Sequence, residues 1–139
     1  MMNEVLHKSK IIVAVFVFFA VLISPQQTKA NDLQRLAENL CDYAKNNNRA
    51  SMRKKLKSAR MKLKVIYPGL ICGAGGSLMR VAVTNDAIEA AKFIVTKAGK
   101  KGLQVKEKDG KTILEYTEGL VAAGDASKQA YVDMIKSKL

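Results

Sequence analysis

Few residues in this chain are equipped for covalent or acid–base chemistry, and their positions limit what it can do. The two cysteines, Cys41 and Cys72, are separated by 30 intervening residues. Redox-active pairs usually sit together as Cys-x-x-Cys, and these do not. In an exported protein an even pair this far apart reads as a structural disulfide. The single histidine is His7, so from residue 8 onward no imidazole is present for proton transfer near neutral pH or for binding a metal. Glu115 and Glu118 lie one helical turn apart and have the residue types of a general acid/base pair, but a solvated helix face accounts for them more simply. The segment "CGAGGSLMR" sets glycines before a helix start, with Arg80 on the first turn. That arrangement suits a phosphate or carboxylate, although it matches neither the P-loop nor the dinucleotide fingerprint. With Cys72 beside it, the simpler reading is a tight turn joined to a disulfide loop. These residues point away from an enzyme, and no cofactor or metal is expected.

Charge carries the stronger signal. The chain has 24 basic and 12 acidic residues, a formal net charge of +12. No acidic residue occurs from Tyr43 to Asn85, whereas Lys45 to Lys64 holds nine basic ones. From Asp109 onward five acids face four lysines, so the positive field belongs to one half of the molecule. Most charge runs are solvated faces. This one has no interleaved acids to neutralise it, so it would concentrate anionic partners: acidic proteins, lipid phosphates, polysaccharide or nucleic acid. Nucleic acid ranks lowest, because only Tyr43 and Tyr67 lie near enough to stack on bases. The candidate binding residues are Arg49, Arg53, Lys54, Lys57, Arg60 and Lys64 on this run, with Arg80 beyond it.

The N-terminus indicates the compartment. Lys8 and Lys10 precede the uncharged run "IIVAVFVFFAVLIS" (Ile11 to Ser24), and Thr28 and Ala30 follow at signal-peptidase spacing. That order is the pattern of a secretory signal peptide. The apolar run has 14 residues, fewer than the ~17–25 of a spanning helix, which argues against an uncleaved anchor. Residues 1–30 are therefore expected to be a signal peptide and 31–139 a single exported, periplasmic domain with no membrane span. That domain is long enough for one modest core.

The elements that position these residues read as helical. Asn31 or Asp32 is expected to cap a helix carrying Leu33, Leu36, Ala37, Leu40 and Ala44 at helical spacing. "NNN" (Asn46 to Asn48) is turn chemistry. A second helix, Arg49 to Lys64, is expected to set Met52, Leu56, Ala59 and Leu63 inward. "VIYPGLICGAGG" is a loop. Ser77 caps a short helix ended by Asn85 and Asp86. Asp86 is expected to cap the next helix in a capping box with Glu89, and Gly99 to stop it. "LQVKEKDGKTIL" is expected to form a small hairpin about Asp109–Gly110. Thr112 caps a further helix, and after Gly124–Asp125 a last one turns Ala130, Tyr131, Met134 and Ile135 inward.

The helical hairpins recur at a period in the thirties, the signature of stacked repeats. "GGSLMRVAVTNDAIEAAKFIVTKAG" and "DGKTILEYT" resemble ankyrin repeats, with Ser77-Leu78-Met79-Arg80 and Thr112-Ile113-Leu114-Glu115 in place of that family's Thr-Pro-Leu-His opening. The resemblance implies an all-α, short stack of about three helix-turn-helix hairpins with a disulfide-tethered loop, and a concave surface that binds a protein partner. "LCDYAKNN", "YPGLIC" and "GGSLMRVA" behind a signal peptide are also similar to small uncharacterised exported proteins of Gram-negative bacteria, which have no assigned activity. Two readings follow: a protein-binding module using the repeat surface, or a cationic envelope protein docking on anionic lipid or polysaccharide through helix 49–64.

Overall fold

A computed structural model describes residues 26–139. The expected targeting segment lies, up to Pro25, outside the described residues. The chain divides into two compact units, Met1–Asp32 and Leu33–Leu139; of the first, only the opening of helix α1 is described. The described residues are helical: α1 Gln26–Lys45, α2 Arg49–Ser58, α3 Leu63–Ile66, α4 Leu78–Thr84, α5 Ile88–Leu103, α6 Ile113–Ala122 and α7 Gln129–Lys136. No strand occurs among them, only an isolated antiparallel bridge between Ile71 and Ser77. The fold is all-α.

Three of the interhelical turns are built alike, and a fourth, at Arg60, shares their backbone pattern. Each of the three contains one residue in the left-handed region: Asn47 (φ 56°), Asp86 (φ 54°) and Gly124 (φ 107°). The following N–H reaches back to a helix carbonyl in each: Asn48 to Tyr43 (2.8 Å), Ala87 to Ala82 (2.9 Å) and Asp125 to Leu120 (3.0 Å). This hydrogen-bond pattern is the Schellman C-terminus, which satisfies carbonyls the helix leaves unpaired. Asparagine, aspartate and glycine tolerate the left-handed backbone at least cost. The repeat legible in the sequence is thus a repeat of turns.

These turns are also tied to one another. Asp86 does not cap α5 as expected, because its left-handed backbone carries it out of the cap position, and its carboxylate takes the Lys128 ammonium. The cap comes instead from Asn47 in the preceding turn, whose Oδ1 accepts from the N–H groups of Glu89 (2.8 Å) and Ala90 (3.0 Å). Asp125, expected from its place before the last helix to cap it, accepts instead from the Ser127 hydroxyl. Lys128, only 4% exposed, is held by Asp86 and lies 3.8 Å from Asp125.

α5 is the central helix, packed against α2, α3, α4 and α7. Its Ala90, Ala91, Ile94, Val95 and Ala98 meet Met52, Leu56, Leu63, Met79, Val83 and Ile135 in one core. Gly99 (φ 77°) interrupts α5 as expected, and one more turn follows to Leu103. Ser77 caps α4, and Thr112 caps α6 in a full capping box with Glu115.

Four further expectations are corrected. α1 runs unbroken through Ala30, so Asn31 and Asp32 lie inside it rather than capping it. α2 ends at Ser58: Arg60 turns left-handed (φ 53°) and the Met61 N–H reaches back to Leu56 (3.0 Å), so the basic run is a helix, a turn and the short α3. Over 103–114, Leu103 ends α5 and Ile113 opens α6, and between them the chain makes a turn closed by the Glu107 N–H on the Lys111 carbonyl (3.0 Å) rather than a hairpin of strands. Finally, the 3-10 turn Ala126–Lys128 delays α7 and shifts its phase, so Val132 is buried and Ala130 is exposed.

Asn47 offers a test of the turn-to-turn cap. Asn47→Gly keeps the left-handed turn and removes the cap, and urea denaturation is expected to show a loss of ~1 kcal/mol. Asn47→Ala also strains the turn and should cost ~2 kcal/mol or more. Wild-type stability in both variants would show that the cap contributes nothing.

Candidate functional site

Part of the basic run lines a shallow, open groove over α2. Arg49, Arg53, Lys54 and Lys57 line it together with Asn46–Asn48, Ala50 and Glu89. Met52 and Leu56 on the opposite side of α2 are buried, so the helical period delivers the cations outward. Asn48 fixes the start of the helix by accepting from the Ser51 N–H (3.0 Å). Among the described residues, Arg53, Lys54 and Lys57 form no ion pair; Arg49 lies 3.5 Å from Glu89, which also takes the Lys92 ammonium at 2.7 Å. Lys92 beside it, and Arg49 after it, hold the exposed Glu89 carboxyl below its ordinary range. Arg60 and Lys64 fall outside the groove, because the left-handed turn at Arg60 separates them from α2.

Arg80 is engaged elsewhere. Its guanidinium donates to both oxygens of Asp109 (2.9 and 3.2 Å), its Nε lies 3.2 Å from Glu107 Oε2, and its Cζ stacks 3.9 Å over the Tyr116 ring. The Nε–Glu107 contact is coulombic without hydrogen-bond alignment. Glu107 Oε2 also accepts from the Ser77 N–H at 3.0 Å. A carboxylate of the chain itself therefore occupies the position at the α4 start where sequence reasoning allowed an outside anion. Gly76 is required for this approach: it sits at φ 79°, and a Cβ there would fall 2.6 Å from that same Glu107 oxygen. The hydrogen bond from Arg80, then the N–H of Lys111, pull the Asp109 carboxyl down to about 2.

Cys41 on α1 and Cys72 in the loop before α4 form a disulfide with Cα atoms 5.6 Å apart. Closing a loop with a sequence separation of 31 residues stabilises the fold by about 3–4 kcal/mol in the chain-entropy account. The same loop carries Tyr67, whose buried phenol is pushed up to about 12 by desolvation. The two carboxylates with the residue types of an acid/base pair have structural partners: Glu115 accepts from the Thr112 N–H (2.7 Å), and Glu118 holds Lys136 (2.7 Å). Among the described residues, no group of three or more His, Cys, Asp or Glu could hold a metal. No helix of the described residues is long and apolar enough to cross a membrane.

Sequence reasoning missed Glu107 and Lys128, and it placed Asn47 in a turn and Glu89 in a capping box without their contacts to partners 30 or more residues away. It also missed a second surface, a cleft bearing Pro68, Ile71 and Val105 beside Lys106 and Lys108. An apolar residue in a polar loop was the available signal there.

Residues 40–105 match a family model described as "Protein of unknown function (DUF3718)". The match covers just under half of the chain, from the latter part of α1 through α5, and leaves out the α6–α7 hairpin. No ankyrin family matches. No curated protein and no solved structure matches the chain.

Stability against pH is expected to have two limbs from these groups. Asp109 titrates lower in the folded state than its ordinary 3.8, so its contribution is present above about pH 4 and lost as pH falls toward 2. Tyr67 titrates higher than its ordinary 10.0, so its contribution is present below about pH 10 and lost as pH rises toward 12. In urea midpoints measured against pH, Asp109→Asn should flatten the acid limb and Tyr67→Phe the alkaline one. Wild-type slopes in both variants would contradict these assignments.

Proposed function

We propose that the protein is an exported, non-enzymatic binding module that holds an acidic segment of a protein partner in the α2 groove. The observation that carries this reading is the convergence of Arg53, Lys54 and Lys57, without ion-pair partners among the described residues, on a recess that also holds Arg49 and Glu89. A recess with several cations and one acid suits a shaped partner with matched side chains. A flat anionic sheet would have suited an unbroken basic rod through residue 64, and the turn at Arg60 interrupts that rod. From the ankyrin resemblance, only the side-by-side stacking of hairpins enters this reading.

Export is supported by the N-terminal pattern and by the Cys41–Cys72 bond, since disulfides persist in oxidising compartments such as the periplasm. The non-enzymatic reading is supported by the absence of histidine after His7 and by the structural engagement of Glu115 and Glu118.

Crosslinking in the intact envelope, followed by recovery on immobilised protein, tests the groove. Arg53→Gln, Lys54→Gln and Lys57→Gln together should leave the helical circular dichroism unchanged and weaken partner capture roughly tenfold or more. Capture by the wild type should weaken steeply as salt rises toward about 0.5 M, where screening acts within a few ångströms, and the triple variant should show a shallower salt dependence. A triple variant that captures the same partner equally well would remove the groove from the account.

A further inference from the structure

We infer that a second surface, the cleft between the loop after α3 and the loop after α5, docks on the surface of an anionic phospholipid bilayer. This surface is separate from the α2 groove and does not depend on it. Ile71 and Val105 are two of the four large apolar side chains exposed among the described residues, at 43% and 39%. They come from loops more than 30 residues apart in sequence yet line one cleft with Pro68. Tyr67 and Ile113 form its buried base. At about 240 Å³ the cleft is smaller than the ~300–1,000 Å³ of an ordinary ligand pocket, so its apolar rim is better suited to enter a soft medium than to enclose a molecule.

The charges on that rim that lack an ion-pair partner among the described residues are positive. Lys106 and Lys108 line the cleft and form no ion pair among the described residues. The acids near them are engaged within the chain, Glu107 with Ser77 and Arg80, and Asp109 with Arg80. Exposed apolar side chains rimmed by unpaired lysines match a bilayer interface, where the apolar groups enter at headgroup depth and the ammonium groups meet lipid phosphates. A protein partner would instead present both charge signs to be matched.

The surface is held in shape from within. The Cys41–Cys72 bond fixes the residue after Ile71, and Gly102 lets the α5 end approach Tyr67 so closely that a Cβ there would stand 3.0 Å from the ring. The cleft is therefore preorganised rather than formed on contact.

The test is partitioning of the disulfide-bonded protein onto phosphatidylcholine vesicles with and without about one-third phosphatidylglycerol. It is read as the anionic-to-neutral ratio, so that the apolar segment Ile11–Ser24, where present, does not decide the result. The ratio should be well above one for the wild type. Partitioning onto the anionic vesicles should fall roughly tenfold in Ile71→Ser/Val105→Ser, and the ratio should stay within a few-fold in the α2 triple variant. Because the chain has no tryptophan, Val105→Trp supplies a single reporter. Its fluorescence should be quenched by brominated phosphatidylglycerol, a readout that stands even if the double serine variant fails to fold. Equal partitioning on both vesicles, an unquenched indole in the Val105→Trp variant, or loss of binding only in the α2 variant would overturn the proposal. The last outcome would place lipid contact in the groove and contradict the groove reading as well; the other failures leave that reading intact.

Discussion

The Arg80 guanidinium is the interaction on which the rest of the described structure depends. It sits on the first turn of α4, 14% exposed at its side chain, and gathers Asp109, Glu107 and the Tyr116 ring around one charge. Those partners lie on the segment after α5 and on α6. One residue of the second hairpin thus fixes the approach to the third. A charge taken this far out of water requires such partners, because an unpaired cation at that depth is strongly destabilising. The same cluster draws Glu107 onto the Ser77 N–H, requires glycine at position 76, and leaves Lys106 and Lys108 on the outer rim. The shape of the cleft and the closure of the α4 start to outside anions therefore have one cause.

The second constraint is the register of the turns. Asn47, Asp86 and Gly124 occupy equivalent left-handed positions, and the first two reach forward to the next turn, Asn47 to the α5 N-terminus and Asp86 to Lys128. Each hairpin is thereby fastened to its neighbour at the loop end by polar contacts, while α5 supplies the apolar contacts along its length. The disulfide adds a tether from α1 to the loop before α4. In this small domain every connection between hairpins is made by a few identifiable residues, so single substitutions should act on docking between hairpins as much as on the hairpins themselves.

Much of the local structure was legible in the sequence. Ser77 and Thr112 are caps, Gly99 interrupts a helix, and most of the inward stripes of α1, α2 and α5 follow helical spacing, although Leu33 and Ala59 are exposed. Those features depend on neighbours within four residues. What the sequence concealed depends on distant ones. Asp86 has the residue type and spacing of a cap, but the left-handed backbone and Lys128 claim it, and Asn47 takes its role from 42 residues away. The apolar spacing of Met52, Leu56, Ala59 and Leu63 continues through the Arg60 turn, which hid the end of α2. Of the candidate binding residues, Arg49, Arg53, Lys54 and Lys57 converge on one groove, whereas Arg60 and Lys64 leave it, and Arg80 is engaged by carboxylates no local pattern could assign to it.

The family match ends at Val105, before Glu107, Asp109 and Tyr116, so the partners of Arg80 all lie beyond the matched segment. Two surfaces of different character stand on this scaffold, a mixed-charge groove on α2 and an apolar cleft between loops with Lys106 and Lys108 on its rim. The account's central claim is that Arg80 docks the third hairpin onto the second. Hydrogen exchange read by mass spectrometry on wild type and Arg80→Gln tests it most directly. The account predicts faster exchange in α6 and α7 with the protection of α2 and α5 retained. Unchanged protection in α6 and α7, or an equal loss throughout, would contradict it.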